Sequence, residues 1–397
     1  MRGKMPGVTL IADWQPKPGF KLGAKDIEGR QTYLGSQVWR NPRLEIREYD
    51  IPTPGPEQVL VEVKACGICG SDVHMAQADE AGYIFYPGLT GFPSILGHEF
   101  SGVVVEAGKN AINKRTNRPF QGGEPVTSEE MLWCGQCKPC ADGQPNHCER
   151  LDEIGFNVNG AYTKYILLPS RTIWSLEPLR QNYTEDDIFL AGSLVEPTAV
   201  AYNAVIERGG GIRPGDRVVI LGGGPVGIAA CAILKRAGAS KVIISETQEE
   251  RAQMALKLGA DVHINPLKED FADRVLEITE GMGADMFMEA TGLPTMVYPG
   301  IERVIWEGRT LNSTVVVTAR AEAKMPVTGE VLQVRRARII GAQGHSGHGN
   351  FPRVIDCMAS GMDMTPMSTK KIRLEQLPEN ILRLQTDRTE CKITYLA

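Results

Sequence analysis

Residues 217–246 read RVVILGGGPVGIAACAILKRAGASKVIISE. A β-prone apolar run breaks at three glycines, an apolar helix-like segment follows, and a second strand-like run ends on an acid. Gly222, Gly224 and Gly227 form G-x-G-x-x-G at the junction of strand and helix. The first glycine permits the tight turn, the second lets a pyrophosphate approach the backbone, and the third lets helix and strand pack closely. Pro225 and Val226 lie inside this turn and count with the glycines as cofactor contacts. The helix start then faces the phosphate charge. Glu246 follows Gly227 by nineteen residues, where a carboxylate grips the ribose hydroxyls of a dinucleotide. The same carboxylate repels a 2′-phosphate, which favours NAD over NADP. Arg251 could offer a cation to such a phosphate; it is read as a contact to the adenosine ribose.

Outward from this core the alternation continues. TQEERAQMALKLGA is helix-like, VHIN strand-like and 269–281 helical, while DMFMEATG, LNSTVVVT and ARIIGAQG are strand-like. Strands alternating with helices specify an α/β, doubly wound parallel sheet. A helix at 351–360 and a strand ending in KITYL close the chain. Before 190 the pattern is β-rich: short strand-like pieces at 38–51, strict alternation in QVLVEVKA at 58–65 after the turn-forming PTPGPE, and a suggested strand pair at 97–107. Residues 75–93 and 109–125 read as surface loops. The expected layout is a β-rich catalytic domain, 1–190 and 346–397, around an inserted nucleotide domain, 191–345. LNSTVVVT, near the edge of the parallel sheet, hints at a homodimer or homotetramer.

The 397 residues, 42% apolar, suffice for two buried cores. Net charge is −5, pI near 5.8, and the signs are interspersed. No basic block is available to neutralise phosphates, so nucleic acid is not an expected partner. MRGKMPGVTLIADW has neither the apolar core nor the cleavage site of an export signal. The uncharged run 218–234 is interrupted by glycines and a proline and reads as strand, turn and helix. No membrane association and a cytoplasmic location are expected.

Nine cysteines are placed unevenly, which favours metal ligation over disulfides. Cys134, Cys137, Cys140 and Cys148 give C-x2-C-x2-C-x7-C within a lobe at 130–150. Four thiolates so spaced can close a tetrahedral shell around one Zn²⁺ and leave no position for water, the mark of a structural site. His147, next to the last thiol, is read as a surface neighbour.

A second group lies in CGICGSDVH, 66–74, and GHE, 97–99. A catalytic zinc needs about three protein ligands and one open position. Cys69 and His98 are the natural first two. Spacing does not separate Cys69 from Cys66, but Cys66 falls in strand register and is expected to be buried and inert. Glu99 can ligate or stand just behind. The other candidate is Glu196 in SLVEPTAV, where an unpaired carboxylate among apolar residues would be costly.

CGICGSDVH, GHE, the four-cysteine lobe, VEP and GGGPVG, in this order, resemble the zinc-containing medium-chain dehydrogenase/reductase family from Val38 to Leu396. The resemblance implies a GroES-like catalytic domain with a Rossmann domain, NAD, and two Zn²⁺ per chain. It implies that Cys69, His98 and either Glu99 or Glu196 hold the catalytic zinc, with Ser71 and His74 as proton relay. The substrate would be a small polyol or cyclitol. Glu196, in place of a second cysteine ligand, looks like the sorbitol and L-threonine 3-dehydrogenase branch, which also includes butanediol and xylitol enzymes. At GHSGHG, 344–349, the chain departs from sorbitol dehydrogenases, which carry an Arg-Tyr pair there. With EEMLWCG and the longer 75–93 loop, it looks most like the scyllo-inosose dehydrogenases of bacterial inositol breakdown. His345 and His348 are then substrate contacts or polar loop residues. The rival from another class is a non-catalytic NAD-binding zinc protein, against which the presence of the relay residues argues.

Overall fold

The computed structural model describes residues 3–23 and 32–397. Six parallel strands form one sheet in the order Val262–Ile264, Lys241–Ser245, Arg217–Leu221, Met286–Glu289, Thr314–Val317, Arg338–Gly341. In the three central strands the Val, Ile and Met side chains are buried on both faces, as a sheet sandwiched between helices requires. The chain starts centrally at Arg217–Leu221, winds to one side, and returns to the other at Met286–Glu289. The crevice at that reversal is where open α/β sheets bind ligands. Thr314–Val317 lies next to the edge strand, Arg338–Gly341, so LNSTVVVT is near the edge of the sheet without forming it. Two helices in this half, Pro294–Glu307 and Gly329–Arg335, lay outside the sequence reading.

The second sheet has seven strands. Gln58–Gly67 is its hub, paired antiparallel with Glu99–Ala107, Tyr165–Pro169 and Lys392–Leu396. Residues 99–107 form one continuous strand and not a pair, because Gln58–Gly67 pairs with their whole length, through two register shifts. The last strand, KITYL, brings the C-terminus back onto this first-half sheet.

The N-terminal extension that precedes Val38, where the family resemblance begins, contributes a strand. Lys4–Trp14 pairs antiparallel with Trp39–Asp50, so 38–51 becomes one twelve-residue strand and not short pieces. Trp14, Trp39 and Phe92 pack edge-on at 4.9 and 5.1 Å and tie this ribbon to the core. Within 109–125 a small hairpin, Ile112–Asn113 with Arg118–Pro119, interrupts the loop. One helical run, 187–208, is long and apolar enough to cross a membrane, but 83% of its apolar window is buried, as in a core helix. It carries Glu196 inward between the two halves.

Candidate active site

The glycine turn is built as its spacing demands. Gly222 has φ +102°, and a Cβ there would crowd the Ala290 carbonyl at 2.9 Å. A Cβ on Gly227 would collide with the Gly222 carbonyl, so the third glycine sets the close helix–strand approach. Gly224 caps the helix Pro225–Arg236, and Pro225 sits in its first turn, where a missing N–H costs nothing. Glu246, just past its strand, accepts from the amides of Gly223 at 2.6 Å and of Thr247 and Gln248 at 2.7 Å. Its carboxylate is thereby fixed against the glycine turn. Arg251 donates to the Glu390 carbonyl at 3.1 and 3.3 Å and lines a cavity of about 190 Å³ with Gly224, Pro225, His74 and Arg388. Arg388 is a second cation at this cleft that sequence reasoning missed; nothing in its polar surroundings distinguished it.

The four sulfurs of Cys134, Cys137, Cys140 and Cys148 lie within 4.8 Å of one another. A zinc–sulfur bond of about 2.3 Å sets tetrahedral sulfur–sulfur edges at roughly 3.8 Å. Cys137 is 3.8 Å from Cys148 and 3.4 Å from Cys140, so the residues fit the ion. Backbone amides point at the sulfurs: Gln136 to Cys134 at 3.4 Å, and Cys134 and Arg150 to Cys148 at 3.3 Å. The Gln136 amide leads the causes that hold the Cys134 thiol down at about 6. His147 is exposed and outside the cluster.

Cys69, His98 and Glu99 form a second group with donor atoms within 4.8 Å. Cys69 precedes the short helix Gly70–Ala76, and its amide donates to Asp72 Oδ2 at 2.9 Å. Tyr162 Oη also donates to Asp72, at 2.8 Å, and Asp72 Oδ1 faces His98 Nδ1 at 3.9 Å. At that distance the carboxylate acts on the ring as a nearby charge and not through a hydrogen bond, and Nε2 lies on the Ser71 side. Ser71 Oγ is 3.5 Å from His98 Nε2. His74, one turn on, faces the cofactor cleft, and burial together with Arg388 lowers its pKa. Cys66 is fully buried beneath the site, and burial pushes its thiol well up.

Glu99 has a partner that the sequence did not announce. Lys392 Nζ lies 2.7 and 2.5 Å from its two oxygens and donates to the Ile68 carbonyl at 2.9 Å. Register explains the meeting: Glu99 and Thr394 both stand opposite Gly67, on either side of the hub strand. A Cβ on Gly67 would collide with Glu99 Oε2, so the glycine makes room for the buried pair. Burial alone would lower the Lys392 pKa, but Glu99, by charge and hydrogen bond, together with Cys69 and Glu196 raises it.

Glu196 belongs to a third group, with Glu130 and His345, all three buried. His345 Nε2 pairs closely with Glu130 and lies 3.3 Å from Glu196. Burial alone would lower the imidazole, but the neighbouring Glu130 carboxylate, with Glu196, pushes it up to about 9. Burial pushes Glu196 up to about 7. His348 is exposed and stands apart. Glu130 was missed; its only trace in the sequence is a pair of acids before the apolar MLW.

These features define a zinc-binding dehydrogenase, and the chain belongs to that medium-chain family: residues 55–178 match the alcohol dehydrogenase GroES-like domain and 225–360 the zinc-binding dehydrogenase domain. It is an oxidoreductase of GroES-like plus Rossmann architecture. It is 63% identical over 395 residues to the scyllo-inosose 3-dehydrogenase of Thermotoga maritima, covering 99% of this chain and 100% of that one. A solved structure from Thermotoga maritima superposes with a TM-score of 0.97 at 62% identity, over 99% of this chain and 100% of that one. A Sinorhizobium meliloti 1021 structure solved with NADP bound has a TM-score of 0.78 at 25% identity, over 100% of both chains.

Proposed function

We propose that this enzyme moves a hydride between NAD and a ring carbon of a cyclitol, interconverting a secondary alcohol and an inosose-type ketone. The full-length 63% identity to the Thermotoga scyllo-inosose 3-dehydrogenase carries the reading. Cys69, His98 and Glu99 would hold the catalytic zinc, with Lys392 holding the Glu99 carboxylate in place from behind. Glu196, 3.3 Å from His345 Nε2, is the alternative third ligand. Bound zinc supplies Lewis acidity that lowers the pKa of the substrate hydroxyl. Ser71 accepts the departing proton and hands it toward His74, which opens to solvent through the cofactor cleft. Gly222, Gly224, Pro225, Val226 and Gly227 hold the pyrophosphate, and Glu246 the ribose diol, so that NAD is preferred. Cys134, Cys137, Cys140 and Cys148 hold a second, structural zinc. The halves divide at about residues 190 and 345, and the exposed edge strand Arg338–Gly341 serves homo-oligomer formation.

An NADH absorbance screen over inososes, inositols, sorbitol, L-threonine and 2,3-butanediol tests the substrate class. The cyclitols should show the highest kcat/KM. Faster turnover of L-threonine or butanediol would overturn the cyclitol reading and leave the dehydrogenase class standing.

A further inference from the structure

Beside the zinc-ligand group lies a cavity of about 460 Å³, the size of a small-molecule site, with features that hydride transfer does not require. Phe156 connects the two regions: its ring centroid is 4.7 Å from that of His98 and 5.3 Å from that of Tyr86. The far wall is assembled from three distant segments. Tyr86 comes from the 75–93 loop, Glu153 from just after the four-cysteine lobe, and Thr318 and Arg320 from the turn after strand Thr314–Val317 in the nucleotide-binding half.

Two polar atoms of this wall have no protein partner among the described residues. Glu153 is 4% exposed. Its Oε2 and the Thr318 hydroxyl are buried with no hydrogen-bond partner among the described residues. Buried polar atoms are rarely left so unless a ligand or water completes them. Arg320 Nη1 approaches Tyr86 Oη at 3.4 Å, its guanidinium 5.6 Å from that ring's centroid. A Cβ on Gly88 would meet the Arg320 guanidinium and the Tyr86 ring, so the glycine leaves room for both.

We propose that Glu153, Thr318, Arg320 and Tyr86 read the hydroxyls of a cyclitol ring on the side remote from the reacting carbon. The inference rests on the cyclitol dehydrogenase reading and assigns that site its specificity. Vicinal hydroxyls each donate and accept, and the wall alternates accordingly: Arg320 donates, while Thr318 and Tyr86 do either. Burial, with Glu130 nearby, pushes Glu153 up to about 8, so near neutrality it keeps a proton and can donate as well as accept. The rings of Phe156 and Tyr86 offer an apolar face to the C–H face of a saturated ring. Because the wall joins both halves of the molecule, a ring with distal hydroxyls is gripped across the cleft, and a simple alcohol is not.

The test compares wild type with Glu153→Ala, Glu153→Gln and Thr318→Val, using an inosose or inositol and cyclohexanol, which lacks distal hydroxyls. Calorimetry of cyclitol binding accompanies the kinetics. Glu153→Ala and Thr318→Val should each raise KM and Kd for the cyclitol about tenfold, the loss of one hydrogen bond to a buried group. Their kcat and their kcat/KM for cyclohexanol should stay near wild type, and Glu153→Gln should recover most of the affinity. Equal losses on both substrates would mean a merely structural role and overturn the proposal. Unchanged cyclitol affinity in both variants overturns it while the cyclitol reading stands. A wild type that neither binds nor turns over cyclitols sinks both.

Discussion

At the scale of single residues, two carboxylates show how surroundings divide labour between like groups. Glu246 takes three backbone amides at 2.6–2.7 Å and is thereby fixed beside Gly223. An anion so placed favours a ribose diol and repels a phosphate. Glu246→Ser should lower kcat/KM for NAD about tenfold or more, as loss of a charged hydrogen-bonding group does, and narrow the gap to NADP. If wild type already uses NADP as well as NAD, Arg251 and Arg388 outweigh the acid and the argument fails. Glu196, by contrast, has no amides holding its charge; His345 at 3.3 Å is its counterpart, and burial lifts it to about 7.

At the scale of elements, the hub strand Gln58–Gly67 does most to assemble the catalytic group. It delivers Cys69 at its C-terminal end, lays Glu99 along one side and Lys392 on the other, and leaves Gly67 bare between them. Lys392 and Glu99 side chains are each 1% exposed, so neither charge has water to fall back on. Removing one partner of such a buried pair typically costs about 3–5 kcal/mol. Lys392→Met should therefore lower the unfolding midpoint by several degrees and weaken retention of one zinc on dialysis by a factor of about ten to a hundred. Glu99→Gln in the Lys392→Met background should recover part of the stability, because no unpaired charge then remains. An unchanged midpoint and an intact zinc count in Lys392→Met would show that the pair supports neither the fold nor the metal.

For the whole molecule, the four-cysteine group and the Cys69, His98 and Glu99 group are separate candidate metal sites. The four-cysteine lobe lies within its own small cluster of Leu89, Met131 and Leu151, apart from the catalytic group. Freshly purified protein should contain two zinc ions per chain. Cys137→Ser should drop the count to one and lower the thermal midpoint, because a closed tetrahedral site contributes folding energy and not reactivity. Remaining soluble Cys137→Ser enzyme should keep a near-normal kcat. Two zinc ions and an unmoved midpoint in that variant would remove the structural assignment.

Local pattern alone was enough to determine the parallel sheet, the glycine turn and the two cysteine groups. Each depends on residues close in sequence: apolar strand runs alternating with helical segments, a glycine at a turn, thiols spaced to meet around one ion. The same holds for His98 and Glu99, which follow one glycine in a single tripeptide. What pattern could not supply were contacts between segments far apart in the chain. Lys392 in KITYL reads as one more polar strand residue until strand register sets it beside Glu99, 293 positions away. His345 and His348 are indistinguishable in GHSGHG; folding buries the first against Glu130 and Glu196 and leaves the second in solvent. The N-terminal extension carried no signal of its role, since a strand declares itself only when its partner is known. Glu153, Arg320 and Tyr86 meet because two domains close on one another, and side-chain chemistry at such a boundary is set by three-dimensional proximity that no local spacing encodes.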